Sequence, residues 1–195
     1  MRKTIALFAT ALALLAYALL VHPGPAPTSP SPLAVRPAPA PFSSPSLSDP
    51  VAVTLVLDRS GSMSGARLEQ LRVATKALLA ELRDQDRVAL VTYGSDHRID
   101  LPLVPVGPNR GLVVRVLDGL VEGGASHLSA GLAAGLRVLA SAPDGHDRRL
   151  ILVTDGGANQ GLTRADHLET LVRAGHRSGI ELQTLGIGSE HDRSL

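Results

Sequence analysis

Residues 51–65 read V-A-V-T-L-V-L-D-R-S-G-S-M-S-G. Val51–Leu57 runs without a charged or strongly polar break and then stops at a carboxylate. A short apolar run of this kind reads as a strand buried on both faces. An ordinary turn needs a Gly and one Asp or Ser. Here Asp58, Ser60 and Ser62 alternate, so their side chains can converge on one point at the strand's end.

Outward from this stretch, strand-like runs alternate with helical ones. Arg87–Tyr93 (R-V-A-L-V-T-Y) is a second strand, and Arg149–Thr154 (R-L-I-L-V-T) is another buried on both faces. Arg98–Leu103 alternates weakly and contains Pro102, which suits an edge strand. Glu181–Ile187 is the last strand. Ala66–Leu82 places Leu68, Leu71, Thr75, Leu78, Leu79 and Leu82 along one stripe of a helix. Gly111–Leu120 is a short helix, Leu128–Ala140 another, and Thr163–Arg177 a third, with Thr163 as its cap and Asp166 three residues on. Strands alternating with helices imply crossover connections. The fold class is therefore α/β, a doubly wound, mostly parallel sheet covered on both sides.

The segment before Val51 is of another kind. Arg2 and Lys3 precede an uncharged run from Thr4 to Val21 of about 18 residues, roughly 27 Å as a helix. A basic start and an apolar stretch make a secretory signal, with Ala16-Tyr17-Ala18 as a cleavage site, and the length suits an uncleaved membrane anchor equally. Residues 22–50 hold ten of the fourteen prolines and read as an extended tether that spans up to about 90 Å. Three parts follow: a signal peptide or anchor at 1–21, a Pro/Ala/Ser-rich tether at 22–50, and a domain at 51–195.

Composition excludes several classes. The 195 residues contain no Cys, so disulfides, thiolate catalysis and Cys-based zinc sites are excluded. Aromatics are 2% and formal net charge is +1; stacking platforms and a polyanion-steering field are both lacking, and no nucleic-acid partner is expected.

In open α/β sheets ligands sit beyond the carboxyl ends of the strands. Three loops fall there: Asp58-Arg59-Ser60-Gly61-Ser62, Asp155-Gly156-Gly157, and Gly123-Gly124-Ala125-Ser126-His127 ahead of the helix at Leu128. They bring two carboxylates and three hydroxyls to one rim. All are hard oxygen donors, the kind that Mg²⁺ takes, with Mn²⁺ or Ca²⁺ as alternatives. Two Asp charges balance a divalent ion, and the hydroxyls add coordination without charge. These oxygens fall short of a full shell, which leaves a position for a carboxylate from another molecule. Arg59 is expected to face solvent, and His127 to be a surface or flanking group.

D-R-S-G-S-M-S after a strand resembles the D-x-S-x-S motif of the von Willebrand factor type A domain family. G-G-A-S-H-L resembles the family's second loop, with Ser126 where a Thr is usual, and L-V-T-D-G-G-A-N its third element, with Asp155. The three stand in family order over roughly residues 51–190. The resemblance implies a Rossmann-like fold and a metal-ion-dependent adhesion site that binds an acidic residue of a partner protein. Asp58, Ser60 and Ser62 would form the first cluster, Ser126 would keep the hydroxyl but lose a methyl that stiffens the rotamer, and Asp155 would act directly or through water. Family members usually continue with a helix, a strand and a closing helix, so a sheet short of these last elements is expected.

The expected protein is an exported or membrane-tethered binding module, not an enzyme. Near-matches to enzyme motifs fail on inspection. Gly61–Gly65 frames Met63 where G-x-S-x-G needs a Ser, and Gly156–Gly161 is followed by Leu162 where a P-loop needs Lys. Two alternatives stay open: a scaffold whose metal site does not work, and a metal-dependent phosphohydrolase using Asp58, which lacks a second acid because Ser60 stands two residues on. Asp58 and Ser126 could also be no more than helix caps.

Overall fold

A computed structural model describes residues 49–155 and 165–187, with backbone alone at 165–167. The expected signal or anchor, most of the tether, Gly156, Gly157 and the Thr163 cap lie outside the described residues. Among the described residues no helix is long and apolar enough to cross a membrane.

Among the described residues five strands form one sheet: β1 (Val51–Asp58), β2 (Arg87–Tyr93), β3 (His97–Pro105), β4 (Asp147–Thr154) and β5 (Ile180–Gly186). The order is β3-β2-β1-β4-β5. β1 lies parallel to both β2 and β4, and β4 is parallel to β5. β3 alone is antiparallel, joined to β2 across register shifts near Leu90. The helices are α1 (Ala66–Glu81), α2 (Val106–Asp118), α3 (Leu128–Ala140) and α4 (Ala165–Arg177). The expected α/β, mostly parallel sheet is the observed one.

β1 sits at the centre, and Ala52–Asp58 are all buried. Because strand side chains alternate between faces, Ala52, Thr54, Val56 and Asp58 point to one side and Val53, Leu55 and Leu57 to the other. Ala52 and Val56 pack with Ala89, Val91 and Tyr93 of β2, Leu150 and Leu152 of β4, and Leu128, Leu132, Val138 and Leu139 of α3. Gly131 lets α3 approach this closely, since a Cβ there would lie 2.7 Å from Cδ1 of Tyr93. α1 and α2 are bound to one another by arginines that reach backbone carbonyls. Arg72 donates to Leu117 O (3.2 Å) and Leu120 O (2.6 Å), and Arg110 to Leu79 O (2.7 Å) and Leu82 O (2.8 Å).

Most boundaries fall within two residues of expectation, β4 starting at Asp147 and not Arg149, and two elements differ at prolines. α2 begins at Val106, not Gly111, and carries Pro108 in its first turn, where the missing N–H has no intrahelical partner to lose. β3 runs longer than Arg98–Leu103 but is an edge strand, which accommodates Pro102.

Candidate metal centre

Asp58, Tyr93 and Thr154 close the central strands, and alternation puts them on one face. Asp58 is in register with Tyr93, and Leu57 with Val153 across the other flank, so three polar side chains meet at the rim. The Tyr93 hydroxyl donates to Asp58 Oδ2 at 3.0 Å, and Thr154 Oγ1 donates to the same oxygen at 3.0 Å. The Ser60 N–H donates to Asp58 Oδ1 at 2.9 Å, which turns the chain out of β1. Asp58 is fully buried and Ser60 is 1% exposed. Ser60 Oγ lies 3.1 Å from Ser62 Oγ, and Ser62 is exposed. Asp58, Ser60 and Ser62 are thus brought together as a carboxylate beside a hydroxyl pair.

The second loop is bonded to the first through the backbone. Gly61 N–H donates to Gly124 O (2.9 Å), Gly123 N–H to Arg59 O (2.7 Å), and Arg59 N–H to Tyr93 O (2.8 Å). His127 N–H donates to Gly94 O (3.0 Å). Gly124 has φ +83°, and a Cβ there would lie 2.8 Å from Ser95 N, so glycine is required twice over. Ser126, fully buried, stands between Gly124 and His127 in this cross-bonded segment. Neither Asp58 nor Ser126 stands at the N-cap of the α-helix that follows it: Gly65 holds that position in α1 and His127 in α3, and neither of these makes a side-chain cap bond.

Arg59 corrects an expectation. Its side chain is 14% exposed and pairs with Asp96, folding inward beside Gly94 instead of facing solvent. The partner lies 37 residues away, beyond reach of any local reading.

Asp155 follows β4 and is 7% exposed. Arg67, in the first turn of α1, donates through Nη1 to Asp155 Oδ2 (3.1 Å) and to Ser62 O (3.0 Å). One guanidinium nitrogen therefore spans the β1–α1 loop and the end of β4.

The sequence pattern of the von Willebrand factor type A domain matches residues 52–195. The chain belongs to that family. The uncharacterized protein YfbK of Escherichia coli (strain K12) is 33% identical over 141 residues, covering 71% of this chain and 24% of its own length. Inter-alpha-trypsin inhibitor heavy chain H3 of Rattus norvegicus is 27% identical over 152 residues, covering 72% and 17%. The chain thus spans less than a quarter of the length of these two relatives. Among solved structures, von Willebrand factor type A from Catenulispora acidiphila gives a TM-score of 0.65 at 20% identity, over 74% of this chain and 34% of that one. Pilus adhesin SpaC from Lactobacillus rhamnosus GG gives 0.59 at 20% identity, over 72% and 24%. At such identities these two likenesses bear on the fold alone.

In this von Willebrand factor type A domain the donor set fits a hard divalent cation. Asp58, Ser60 and Ser62 offer hard oxygen at the end of β1, while the guanidinium groups of Arg59 and Arg67 are turned to Asp96 and Asp155. Among the described residues no group of three or more His, Asp or Glu is arranged to hold a metal, so hydroxyls would have to complete the donor set. Burial pushes the Asp58 carboxyl above the usual carboxylate range, although bonds from Ser60, Tyr93 and Thr154 pull it back. A carboxylate that is uncomfortable as a buried anion is one that a nearby cation would stabilise. Tyr93 is held well above its ordinary value by burial and by the charge of Asp58, so it stays a donor at neutral pH. The residues that local reading missed are Tyr93, Thr154 and Arg67. The signal for the first two was available: each ends a strand predicted to flank β1, with the parity of Asp58.

Proposed function

We propose that this domain is a divalent-cation-dependent protein-binding module. Asp58, Ser60, Ser62, Ser126 and Asp155 hold Mg²⁺, or Mn²⁺ or Ca²⁺ in its place, and an acidic side chain of another protein completes the site. The observation that carries this reading is the fully buried Asp58 carboxylate beside the Ser60–Ser62 hydroxyl pair. When bound, the cation supplies a hard positive centre that an incoming carboxylate can ligate. Tyr93 and Thr154 fix Asp58 from behind, and the Gly61–Gly124 bond holds the two hydroxyl-bearing loops at one distance. A likeness to chains named as heavy chains of an inhibitor agrees with a protein partner. Residues 1–50 would export the domain and keep it near a membrane.

An enzymatic role for Asp58 is disfavoured by its geometry. Three hydrogen bonds occupy the carboxylate and leave one acceptor position on Oδ1, enough for a bare cation. The full burial of the residue keeps a bulky phosphate ester from it, and Ser60 stands where a second acid would be needed. A second reading, a scaffold without a working metal site, draws on the Arg67–Asp155 pair, which occupies one proposed ligand.

Calorimetric titration and thermal unfolding of the full chain with Mg²⁺ or with chelator separate these readings. At a free cation concentration of 100 Kd the folded state gains about 2.7 kcal/mol. Asp58→Ala should remove that gain and leave the domain folded. No uptake of Mg²⁺ or Mn²⁺ at millimolar concentration would leave the scaffold reading.

A further inference from the structure

We infer that Arg67 is a built-in counter-cation of the rim, which competes with a divalent cation for Asp155 and thereby sets the domain's metal affinity; this rests on the metal-binding reading above. The placement of Arg67 calls for an explanation. It is the second residue of α1, and a cation in a first turn opposes the helix dipole, which favours acidic side chains there. Helix stability therefore does not account for it. What it touches does: one nitrogen bonds both Ser62 O and Asp155 Oδ2. Those two atoms belong to the two loops that the proposed site joins.

The asymmetry of burial gives the pair its character. The Asp155 side chain is 6% exposed and the Arg67 side chain 38%. A carboxylate that is nearly enclosed gains from a cationic partner, so Arg67 stabilises the rim in the absence of metal. Arg67 itself stands half in solvent on a long flexible stem, and it can swing outward without breaking a packed core. A cation of higher charge then faces two costs. It must displace the guanidinium from Asp155, and it must tolerate a positive group close by. Both lower the apparent affinity, so metal uptake and the Arg67–Asp155 pair are coupled in opposition.

The test is titration of Mg²⁺ into the full chain in detergent micelles, using wild type, Arg67→Gln and Arg67→Lys, together with thermal unfolding in chelator and in saturating Mg²⁺. Arg67→Gln is expected to bind Mg²⁺ about tenfold more tightly, within the usual range of coupling between two sites. It is also expected to melt below wild type in chelator and level with it at saturation. Arg67→Lys, which keeps the charge, should stay near wild type in affinity. A purely structural role for Arg67 predicts the opposite: weaker uptake in Arg67→Gln and a deficit that persists at saturation. Equal or weaker affinity in Arg67→Gln overturns this inference and leaves the metal reading intact. Uptake by Arg67→Gln but not by wild type supports it. No uptake by either protein overturns the metal reading, and the inference with it.

Discussion

Replacing Tyr93 with Phe isolates what holds Asp58 in place. The substitution keeps the ring, which is fully buried against α3, and deletes one hydroxyl. Asp58 Oδ2 then keeps the Thr154 bond at 3.0 Å, and Oδ1 keeps the Ser60 N–H at 2.9 Å. One of three hydrogen bonds to a buried carboxylate is lost, which costs about 2 kcal/mol at neutral pH in chelator. For a domain of this size that is a fall in Tm of roughly 4–8 °C. The pH dependence gives the sharper check. Burial already raises the Asp58 carboxyl, against the pull of its hydrogen bonds. A group whose folded pKa lies above its unfolded one contributes stability that is fully present below the unfolded value. That stability is lost as pH rises through the folded value. The Tyr93 bond favours the charged form, so its removal raises the folded pKa further and widens the window of loss. Protonation of Asp58 also makes the missing bond less costly. Urea unfolding in chelator should therefore show Tyr93→Phe closest to wild type in acid and furthest from it at neutral pH. A variant equal to wild type at pH 7, or a deficit unchanged with pH, would refute the view that Tyr93 serves the Asp58 charge.

Other sites offer independent checks. Asp86 accepts from Val51 N–H (2.9 Å), Arg83 N–H (2.7 Å) and the Arg83 guanidinium (2.9 and 3.2 Å). Burial pushes its carboxyl up, but these bonds outweigh it and the net value is lowered. Asp86→Asn should cost about 2–3 kcal/mol at pH 7 by urea unfolding, and the deficit should shrink as pH falls through the depressed folded value, where wild type loses the same stability. Thr54 Oγ1 is buried in β1 with no hydrogen-bond partner among the described residues, so Thr54→Val should raise stability by about 1 kcal/mol, read as a higher urea midpoint with unchanged slope. Gly131→Ala puts a methyl 2.7 Å from the Tyr93 ring; a loss of about 1–3 kcal/mol is expected on equilibrium unfolding.

How much of this was legible in the sequence depends on the range of the interaction. β1 and β4 were legible because a strand covered on both faces must be apolar throughout, and each run breaks at a buried carboxylate where the strand ends, Asp58 or Asp155. α1 was legible from its leucine stripe. The start of α2 was not, because the helix begins among prolines, with Pro105 at its N-cap and Pro108 in its first turn, positions that a helix tolerates only at its start. Arg59 was misjudged because Asp96 reaches it only after β2 folds alongside β1. Tyr93 and Thr154 lie in segments that were identified correctly, but their role depends on register: a slip of one residue would turn both hydroxyls to the opposite face. The motif residues were singled out by their place at the strand ends together with the family resemblance.

The rim is held by two kinds of bond, and the difference bears on how it can respond. The β1–α1 loop, the end of β2 and the Gly123–His127 segment are joined by amide–carbonyl bonds at Arg59, Gly61, Gly123 and His127. Those bonds carry no net charge, so a change in nearby charge leaves them largely as they are. The side-chain ties are different: Tyr93 and Thr154 donate to Asp58, and Arg67 donates to Asp155. Each ends on a carboxylate. A change in the charge balance of the rim therefore acts first on these ties to Asp58 and Asp155. The Ser60–Ser62 hydroxyl pair rides on the backbone-bonded half, and Asp155 on the other. A guanidinium that touches both halves through Ser62 O and Asp155 is then in a position to report the state of one to the other.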